Sequence, residues 1–555
     1  MLPKSGVFLD WCAEILLWGF PHRRARRFGG MLLASLLLGA CASLPPGADF
    51  PKQPSMALAH PEETTLGSQF AAAAKQHPGA SGFRVIGVGA DGFRMRAEMI
   101  DAAQRTLDLQ YYIFRGDETG RMLTDRLERA AERGVRIRVL IDDGDTVAGD
   151  QQILRLLNHP SVELRIFNPS SYRGHWRVLR RLEFVLNERR LDYRMHNKLF
   201  VVDNAVALIG GRNIGNQYFQ IDPESQFADD DVFAAGPIVP ELSKTFDEFW
   251  SSDMAIPAQA LGLHAQRSRD VVSRAKDDSG RDGPKSGEAK PGPIDYAALV
   301  ATGEPFHSII SGKLPLSWAP AQLVYDSPDK KRVVKGAEDG PLIVPAVENA
   351  IRAVKSELLI ITPYLVPSKD EMKTLMDLRE RQTRVGILTN SLESSTEISA
   401  QSGYEKYRVP MLKMGIELYE VRSRLGNTRG SGQSRKVSRY GNYALHAKLY
   451  IFDRRRVFFG SMNLDQRSQH INTEIGLIID SPDLAQQTAQ RFDAMVKPEN
   501  CYIVSLLPDG SGKPRLVWRT EENGHPVEYN REPARSGLQR FKAKLLSLVP
   551  MEREL

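Results

Sequence analysis

The sequence predicts an α/β protein of two pseudo-symmetric lobes, each a mixed sheet flanked by helices, around one shared active site. Three observations carry this. Residues 196–213, HNKLFVVDNAVALIGGRN, and residues 446–463, HAKLYIFDRRRVFFGSMN, follow one frame, H-x-K-x4-D-x6-G-[GS]-x-N. Before each copy, strand-like and helix-like segments alternate in the same order, as in a parallel or mixed sheet covered on both faces. A chain of 555 residues is also too long for a single core.

The elements follow from the N-terminus. Arg23, Arg24, Arg26 and Arg27 precede the apolar run MLLASLLL, and then come Gly39, Ala40 and Cys41. A basic region, a short apolar region and small residues before a cleavage point make a secretory signal. Leu38-Gly39-Ala40-Cys41 looks like a bacterial lipoprotein signal, in which Cys41 becomes the lipidated N-terminus. Residues 1–40 are therefore read as a lipoprotein signal peptide, which implies an envelope protein anchored to a membrane and facing the periplasm. Ala42-Ser43 lacks the acidic residue that retains many lipoproteins at the inner membrane. Loss of residues 1–40 removes five basic and two acidic residues and takes the formal net charge from +6 to +3. So small a charge says little about partners, and local basic clusters carry that argument. Cys501 is the one other cysteine of the mature chain, so no internal disulfide is available.

Residues 41–75, rich in Pro, Gly and Ala, read as a flexible tether. Lobe 1 spans 76–262: the strand FRVIGVG, the helix DGFRMRAEMIDAAQRT, the strand LDLQYYIF, the helix GRMLTDRLERAAERG and the strand VRIRVLIDD lead to the first motif. Residues 263–300, charged and rich in Gly and Pro over 273–293, read as a linker or surface insertion. Lobe 2 spans 301–497 and repeats the order, with PAVENAIRAVKS helical, ELLIITPYLV a strand, KDEMKTLMDLRERQ helical and TRVGILTN a strand. Tyr112 and Tyr364 precede His196 and His446 by nearly the same distance, so the repeat is a whole lobe. Residues 498–555 form a C-terminal extension with one tight turn and a terminal helix, SGLQRFKAKLLSLV.

Motif strands meeting at a pseudo-dyad would bring two His, two Lys and two Asn to one pocket, a composition suited to a phosphodiester. One neutral imidazole attacks phosphorus in line, giving a phosphohistidine, and the other donates a proton to the leaving alkoxide. Lys198, Lys448, Asn213 and Asn463 would donate to the non-bridging oxygens. Neither a metal nor another cofactor is expected, because the lysines supply the charge and H-x-K offers one metal ligand per strand. Each histidine needs an acceptor on its second nitrogen. Asp231, at the start of DVFAAG, is the candidate for His196, with Asp229 and Asp230 as competitors, and Glu474, at the start of EIGLIID, for His446. Ser461, Tyr112 and Tyr364 are expected to line the substrate pocket. Asp203 and Asp453, at strand ends, read as structural turn residues.

The stretch from Tyr172 to Arg194 sets Arg173, Arg177, Arg180, Arg181, Arg189, Arg190 and Arg194 among Trp176, Leu179, Leu182, Phe184 and Val185. Arginines beside an apolar face fit a segment lying at an anionic lipid surface. Arg435, Lys436 and Arg439 are further candidates for headgroup phosphate.

The H-x-K-x4-D frames resemble the phospholipase D superfamily. QYYIFRGDETGR, RIFNPS, RRLDYRMHNK, GGRNIGNQYF, FADDDV, ITPYLVP, KYRVPMLKMGIELYE and GSMNLDQRSQHINTEIGLIIDSP look like bacterial cardiolipin synthase C-type proteins, from about residue 80 onward. The resemblance implies two phospholipase D-like lobes around one site, with His196 and His446 catalytic and Lys198, Lys448, Asn213 and Asn463 on phosphate. It implies a phosphatidyl transferase making cardiolipin from phosphatidylglycerol and a second phospholipid, phosphatidylglycerol or phosphatidylethanolamine. Superfamily habit makes His196 the first nucleophile. Hydrolysis of the same lipids is the alternative, followed by a phosphodiesterase or nuclease activity; no nucleic acid partner is expected. The usual G-S-x-N is Gly210-Gly211-Arg212-Asn213 in the first lobe, which lacks the serine.

Overall fold

The computed structural model describes residues 44–144, 151–173, 176–221, 225–263, 303–423 and 442–548. The signal peptide, Cys41, nearly all of the linker, and Arg435, Lys436 and Arg439 lie outside these residues.

The alternating apolar runs of the first half form strands β1 (Ser81–Ile86), β2 (Thr106–Tyr111), β3 (Arg136–Asp142), β4 (Val162–Phe167), β5 (Leu199–Val202), β6 (Val206–Gly210), β7 (Ser225–Ala228), β8 (Asp231–Ala235), β9 (Ala255–Pro257) and β10 (Ser317–Ala319). All but β7 make one mixed sheet, ordered β10-β1-β8-β6-β5-β2-β3-β4-β9. The second half supplies β11 (Ala321–Tyr325), β12 (Glu357–Ile361), β13 (Leu365–Val366), β14 (Arg384–Asn390), β15 (Glu417–Val421), β16 (Asn442–Leu445), β17 (Leu449–Phe452), β18 (Arg456–Gly460), β19 (Leu464–Asp465), β20 (Ile475–Ile479), β21 (Cys501–Pro508), β22 (Pro514–Glu522) and β23 (His525–Tyr529). Its large sheet runs β11-β20-β18-β17-β12-β14-β15-β21-β22-β23. From β1 to β9 and from β11 to β21 the two orders correspond strand for strand, so the sequence repeat is a repeat of topology.

The motif hairpins show why the frame recurs. β5 turns into β6 through Asp203 (φ 52) and Asn204 (φ 49), and β17 into β18 through Asp453 (φ 53) and Arg454 (φ 52). Two successive left-handed residues make the turn whose twist matches a two-strand ribbon. Asp203 accepts the amides of Gln104, Arg105 and Thr106 at 2.7–2.9 Å. Asp453 accepts those of Lys355, Ser356 and Glu357 at 2.7–3.2 Å. Each aspartate thus ties its hairpin to the start of the neighbouring strand. Arginine is an uncommon left-handed residue; Arg454 is held there by Glu357 at 2.5 Å and Asp493 at 2.8 Å.

The two sheets turn one face toward each other. Leu199, Val201 and Val232 share a buried cluster with Leu449, Ile451 and Leu477, flanked by Phe246 of helix Ile238–Ser251 and Phe492 of helix Pro482–Met495. Separate cores cover the outer faces, one under helices Gly89–Ala102 and Glu118–Glu132, the other under Ile343–Arg352 and Lys369–Glu380.

Three expected boundaries change. The tether at 41–75 is, from residue 44 on, laid against lobe 1. Arg165 donates to the Gln53 carbonyl (3.0 Å), Arg138 to Ser55 (2.7 Å) and Arg136 to Met56 (2.6 Å), and helix Thr65–Lys75 buries Leu66 and Phe70. The boundary at 301 moves to Pro320: helix Pro305–Ile310 puts Phe306 and Ile309 into the first lobe's core, and β10 pairs with β1. The C-terminal extension is no separate unit, since β21 pairs with β15 and carries β22 and β23 onto the second sheet.

Candidate active site

The His-x-Lys segments lie immediately before β5 and β17, and each is hydrogen-bonded to the opposite lobe. His196 N donates to Thr473 O (3.0 Å), and Thr473 N to Arg194 O (2.9 Å). His446 N donates to Ala228 O (2.8 Å), and β16, just ahead of it, runs parallel to β7. Backbone bonding across the dyad therefore fixes each motif. His196, Lys198, His446 and Lys448 are all buried. Lys198 Nζ donates to the His196 carbonyl at 2.6 Å and Lys448 Nζ to that of His446 at 2.5 Å, which leaves each ammonium beside its own imidazole.

The acceptors on the histidines are exchanged between lobes, and this corrects the expected pairing. Glu474 takes His196, with Nδ1 at 2.9 Å from Oε2 and 3.1 Å from Oε1. Asp229 takes His446, with Nδ1 at 2.5 Å from Oδ2. Asp231 serves neither histidine: its Oδ2 accepts from Arg96 at 2.8 Å and from Arg212 at 2.9 Å, all three residues buried. Strand register explains the misreading. Gly210 pairs with Asp231 and Gly460 with Gly476, so Asp231 corresponds to Gly476 and the counterpart of Glu474 is Asp229. Counting back two residues from the paired strand position, rather than taking the first acid of the strand, would have found it.

Ser461 is also reassigned. Its hydroxyl donates to Glu474 Oε2 at 2.5 Å and accepts from Ile475 N at 3.0 Å, so it is committed to the carboxylate rather than open to substrate. Ser468 Oγ holds Glu474 Oε1 at 2.8 Å. In the first lobe a Cβ on Gly211 would come within 2.2 Å of Asp229 Oδ1. The missing serine is therefore matched by the shorter acid: Gly with Asp in one half, Ser with Glu in the other.

Behind Glu474 lies a support that sequence reasoning missed. Lys330 Nζ donates to Asp326 Oδ2 (2.8 Å), Ser468 O (2.6 Å) and Asn472 O (2.7 Å), and the Glu474 amide donates to the same Asp326 oxygen at 2.9 Å. Phe227 stacks on His446 with centroids 5.2 Å apart and Tyr218 meets it edge-on at 5.2 Å. Tyr112 meets His196 edge-on at 5.2 Å. Tyr364 stacks on neither histidine; burial raises its phenol far above the ordinary value, and Tyr218 is among the groups acting on it. Asn213 Oδ1 accepts from Ile113 N at 3.2 Å. Asn463 Oδ1 is buried with no hydrogen-bond partner.

The electrostatics tie the four motif side chains together. Burial, then Lys198 and Lys448, hold His196 well below its usual value. Burial and Lys448, with Lys198 adding to them, bring His446 to about 3 against the opposing pull of Asp229. Burial opposes the charge on Asp229, yet His446, Lys448 and Arg212 lower it to about 2. Burial raises Glu474 to about 7 and lowers Lys448 to about 8. Both imidazoles are thus neutral at neutral pH, each with Nδ1 facing a carboxylate. An Nδ1–H donated to that carboxylate leaves the Nε2 lone pair for chemistry.

Among known proteins, the family described as cardiolipin synthase, PLD-like domain, matches residues 97–250 and 347–496, more than half of the chain. The chain belongs to this phospholipase D-like cardiolipin synthase family. It is 34% identical over 480 residues to cardiolipin synthase C of Escherichia coli (strain K12), spanning 86% of this chain and 97% of that one. An uncharacterized protein of Helicobacter pylori (strain J99) is 30% identical over 502 residues, with 89% and 93% covered. Among solved structures, phosphatidylserine synthase of Haemophilus influenzae Rd KW20 gives a TM-score of 0.48 at 15% identity, covering 78% of this chain and 91% of that one. The two family matches fall one in each lobe, around the two motifs. Among the described residues no helix is long and apolar enough to cross a membrane, and no three or more His, Cys, Asp or Glu side chains are grouped to hold a metal ion.

Proposed function

We propose that this family member is a phosphatidyl transferase that makes cardiolipin from phosphatidylglycerol and a second phospholipid through a phosphohistidine. The observation that carries the reading is the pair of buried imidazoles, each oriented by a carboxylate from the other lobe and each beside a lysine. In this reading His196 attacks the donor phosphorus through Nε2. The P–O bond to the glycerol headgroup breaks, and His446, which binds a proton at Nε2 when the anionic phosphodiester enters beside it, gives that proton to the departing alkoxide. The hydroxyl of the second lipid then attacks phosphorus, the P–N bond breaks and His446 takes the proton back. His446 suits the acid role because Asp229 is ionised and stabilises an imidazolium, whereas Glu474 lies close to neutrality. Lys198 and Lys448 neutralise the non-bridging oxygens in a site with little water.

Two exposed apolar helices support action at a membrane surface. On Arg177–Leu186 and the residue before it, Trp176, Val178, Leu182 and Val185 are exposed, Trp176 by 73%. On Gly537–Leu546 and just after it, Leu538, Phe541, Leu545 and Leu548 are exposed. Arg180 anchors the first helix to the carbonyl of Asp143, just past β3 (3.1 Å), and Gln539 the second to that of Leu392, just past β14 (2.6 Å). These are corresponding strand ends, next to the site: Asp142 accepts from Met195 N at 2.8 Å and Asn390 from Leu445 N at 2.8 Å. The Leu-Gly-Ala-Cys sequence ending at Cys41 supports an added acyl anchor in the bacterial envelope.

The test is incubation of the purified protein with labelled phosphatidylglycerol. Cardiolipin and free glycerol are the expected products, both absent with His446→Ala; phosphatidic acid without cardiolipin would mean that water is the acceptor.

A further inference from the structure

Next to the histidine site lies a second space, a cavity of about 270 Å³ lined by Tyr112, Arg180, Arg194 and Arg467, with Phe184 and Leu191 on its apolar side. Tyr112 belongs to both spaces, since its ring meets His196 and lies 5.5 Å from Lys198 Nζ. Arg194 is two residues before His196 on one extended segment, so the two side chains leave the backbone on the same side.

The charges around the cavity do not cancel. Asp143 already accepts from Ser170 N at 2.8 Å, Ser170 Oγ at 2.9 Å and Arg173. Asp192 accepts from Arg467 at 2.6 Å. Arg180 is left without a carboxylate, and Arg194 is only loosely paired. Arg194 comes no nearer than 3.5 Å to Asp142, and its Nη1 is buried without a hydrogen-bond partner. Asp142 is itself occupied by the amides of Met195 and Gly144. Arg180 donates to a carbonyl, that of Asp143. Planar guanidinium groups that hydrogen-bond to no carboxylate, facing a cavity, suit a phosphodiester. The arrangement is one-sided: in the repeated frame the counterpart of Arg194 is Ala444.

We propose that this cavity is the subsite for the second, acceptor phospholipid, with Arg194 and Arg180 binding its phosphodiester. The proposal rests on the phosphatidyl-transfer reading. The acceptor's chains leave past Phe184 along the exposed face of helix Arg177–Leu186. Its headgroup hydroxyl, a three-carbon bridge away from that phosphate, then points toward the phosphorus on the histidine. The hydroxyl oxygen forms the new P–O bond, the P–N bond breaks, and the hydroxyl proton passes to the second imidazole. Two phosphates held a glycerol's width apart need a cation pair distinct from Lys198 and Lys448.

The experiment uses the full chain, labelled phosphatidylglycerol as donor, and three acceptors: phosphatidylglycerol itself, glycerol 3-phosphate, and 1,3-propanediol, which has the hydroxyl but no phosphate. In Arg194→Gln/Arg180→Gln the ratio of cardiolipin to phosphatidylpropanediol falls by about tenfold or more, the loss expected for charge-assisted hydrogen bonds. The ratio for glycerol 3-phosphate falls in parallel if the phosphate is what is recognised. Arg194→Lys/Arg180→Lys recovers part of both ratios. Equal loss with all three acceptors, or none, overturns the subsite while leaving the transferase reading intact. A wild-type protein that cleaves donor but transfers to no alcohol overturns both.

Discussion

Glu474 lies 2.9 Å from Nδ1 of His196 although the two residues belong to different lobes and are 278 positions apart. Glu474→Gln keeps the shape but loses the charge that fixes the tautomer. Turnover with phosphatidylglycerol is expected to fall by about 10²-fold or more, with KM changed little. Asp229→Asn should behave alike, and the double variant should be little worse than either single one, because the two act in one cycle. Steady-state kinetics on the four proteins checks this; additive losses would mean independent roles.

Asp231, the acid expected to orient His196, should show itself in stability. Asp231→Ala leaves Arg96 and Arg212 buried without their carboxylate, a change that costs about 3–5 kcal/mol. Denaturant unfolding measures it, and a loss within about 1 kcal/mol would contradict the buried triad.

Lys448 is expected to contribute an alkaline limit to activity, alongside Lys198, which burial lowers too. The Lys448 ammonium, lowered to about 8, is charged below that pH and neutral above it, so kcat/KM for an anionic lipid should fall as pH rises through about 8. Lys448→Arg keeps the charge and should move that limb upward, whatever it does to the maximum rate. A pH–rate profile with the same alkaline limb in both proteins would refute the assignment.

Glu371 offers a separate pH test, on stability. Burial raises it to about 8, above its unfolded value, so the folded state binds the extra proton and loses stability as pH rises from about 4.5 to about 8. Glu371→Gln can still accept from Ser368 N, the bond made at 2.8 Å in the native cap. The variant should match wild type near pH 5 and melt several degrees higher near pH 8.5. Equal melting temperatures at both pH values would be the opposing result.

The exposed helices predict vesicle binding. With Trp176, Leu182, Val185, Leu538, Phe541 and Leu545 all changed to Ser, binding to phosphatidylglycerol vesicles should drop by at least about tenfold, since each apolar side chain entering a bilayer contributes about 1.5–3 kcal/mol when fully buried. Co-sedimentation in a Cys41→Ser background excludes any acyl anchor from the difference.

The sequence made the repeat legible because a doubled frame constrains spacing. Histidine and lysine must share one side of an extended segment, and an aspartate must reach back to the amides before the next strand. Hence His196, Lys198, Asp203 and their counterparts could be read directly. The exchange of Asp229 and Glu474 could not, because it depends on how two lobes dock, and no local pattern records that. The segment after residue 44 misled for a related reason: its Pro and Gly content suggests a tether, while the arginines that hold its carbonyls lie in strands far along the chain. The strands after Cys501 showed their turn but not their partner, because pairing with β15 is a long-range choice.

The crossed arrangement of histidines and carboxylates has a consequence for how this molecule can be cut. A polypeptide ending after β10 would keep a histidine whose partner acid was gone, and so would the piece beginning at β11. Neither fragment is expected to turn over substrate by itself, however well it folded. Co-expressed, the two should restore both pairs at once.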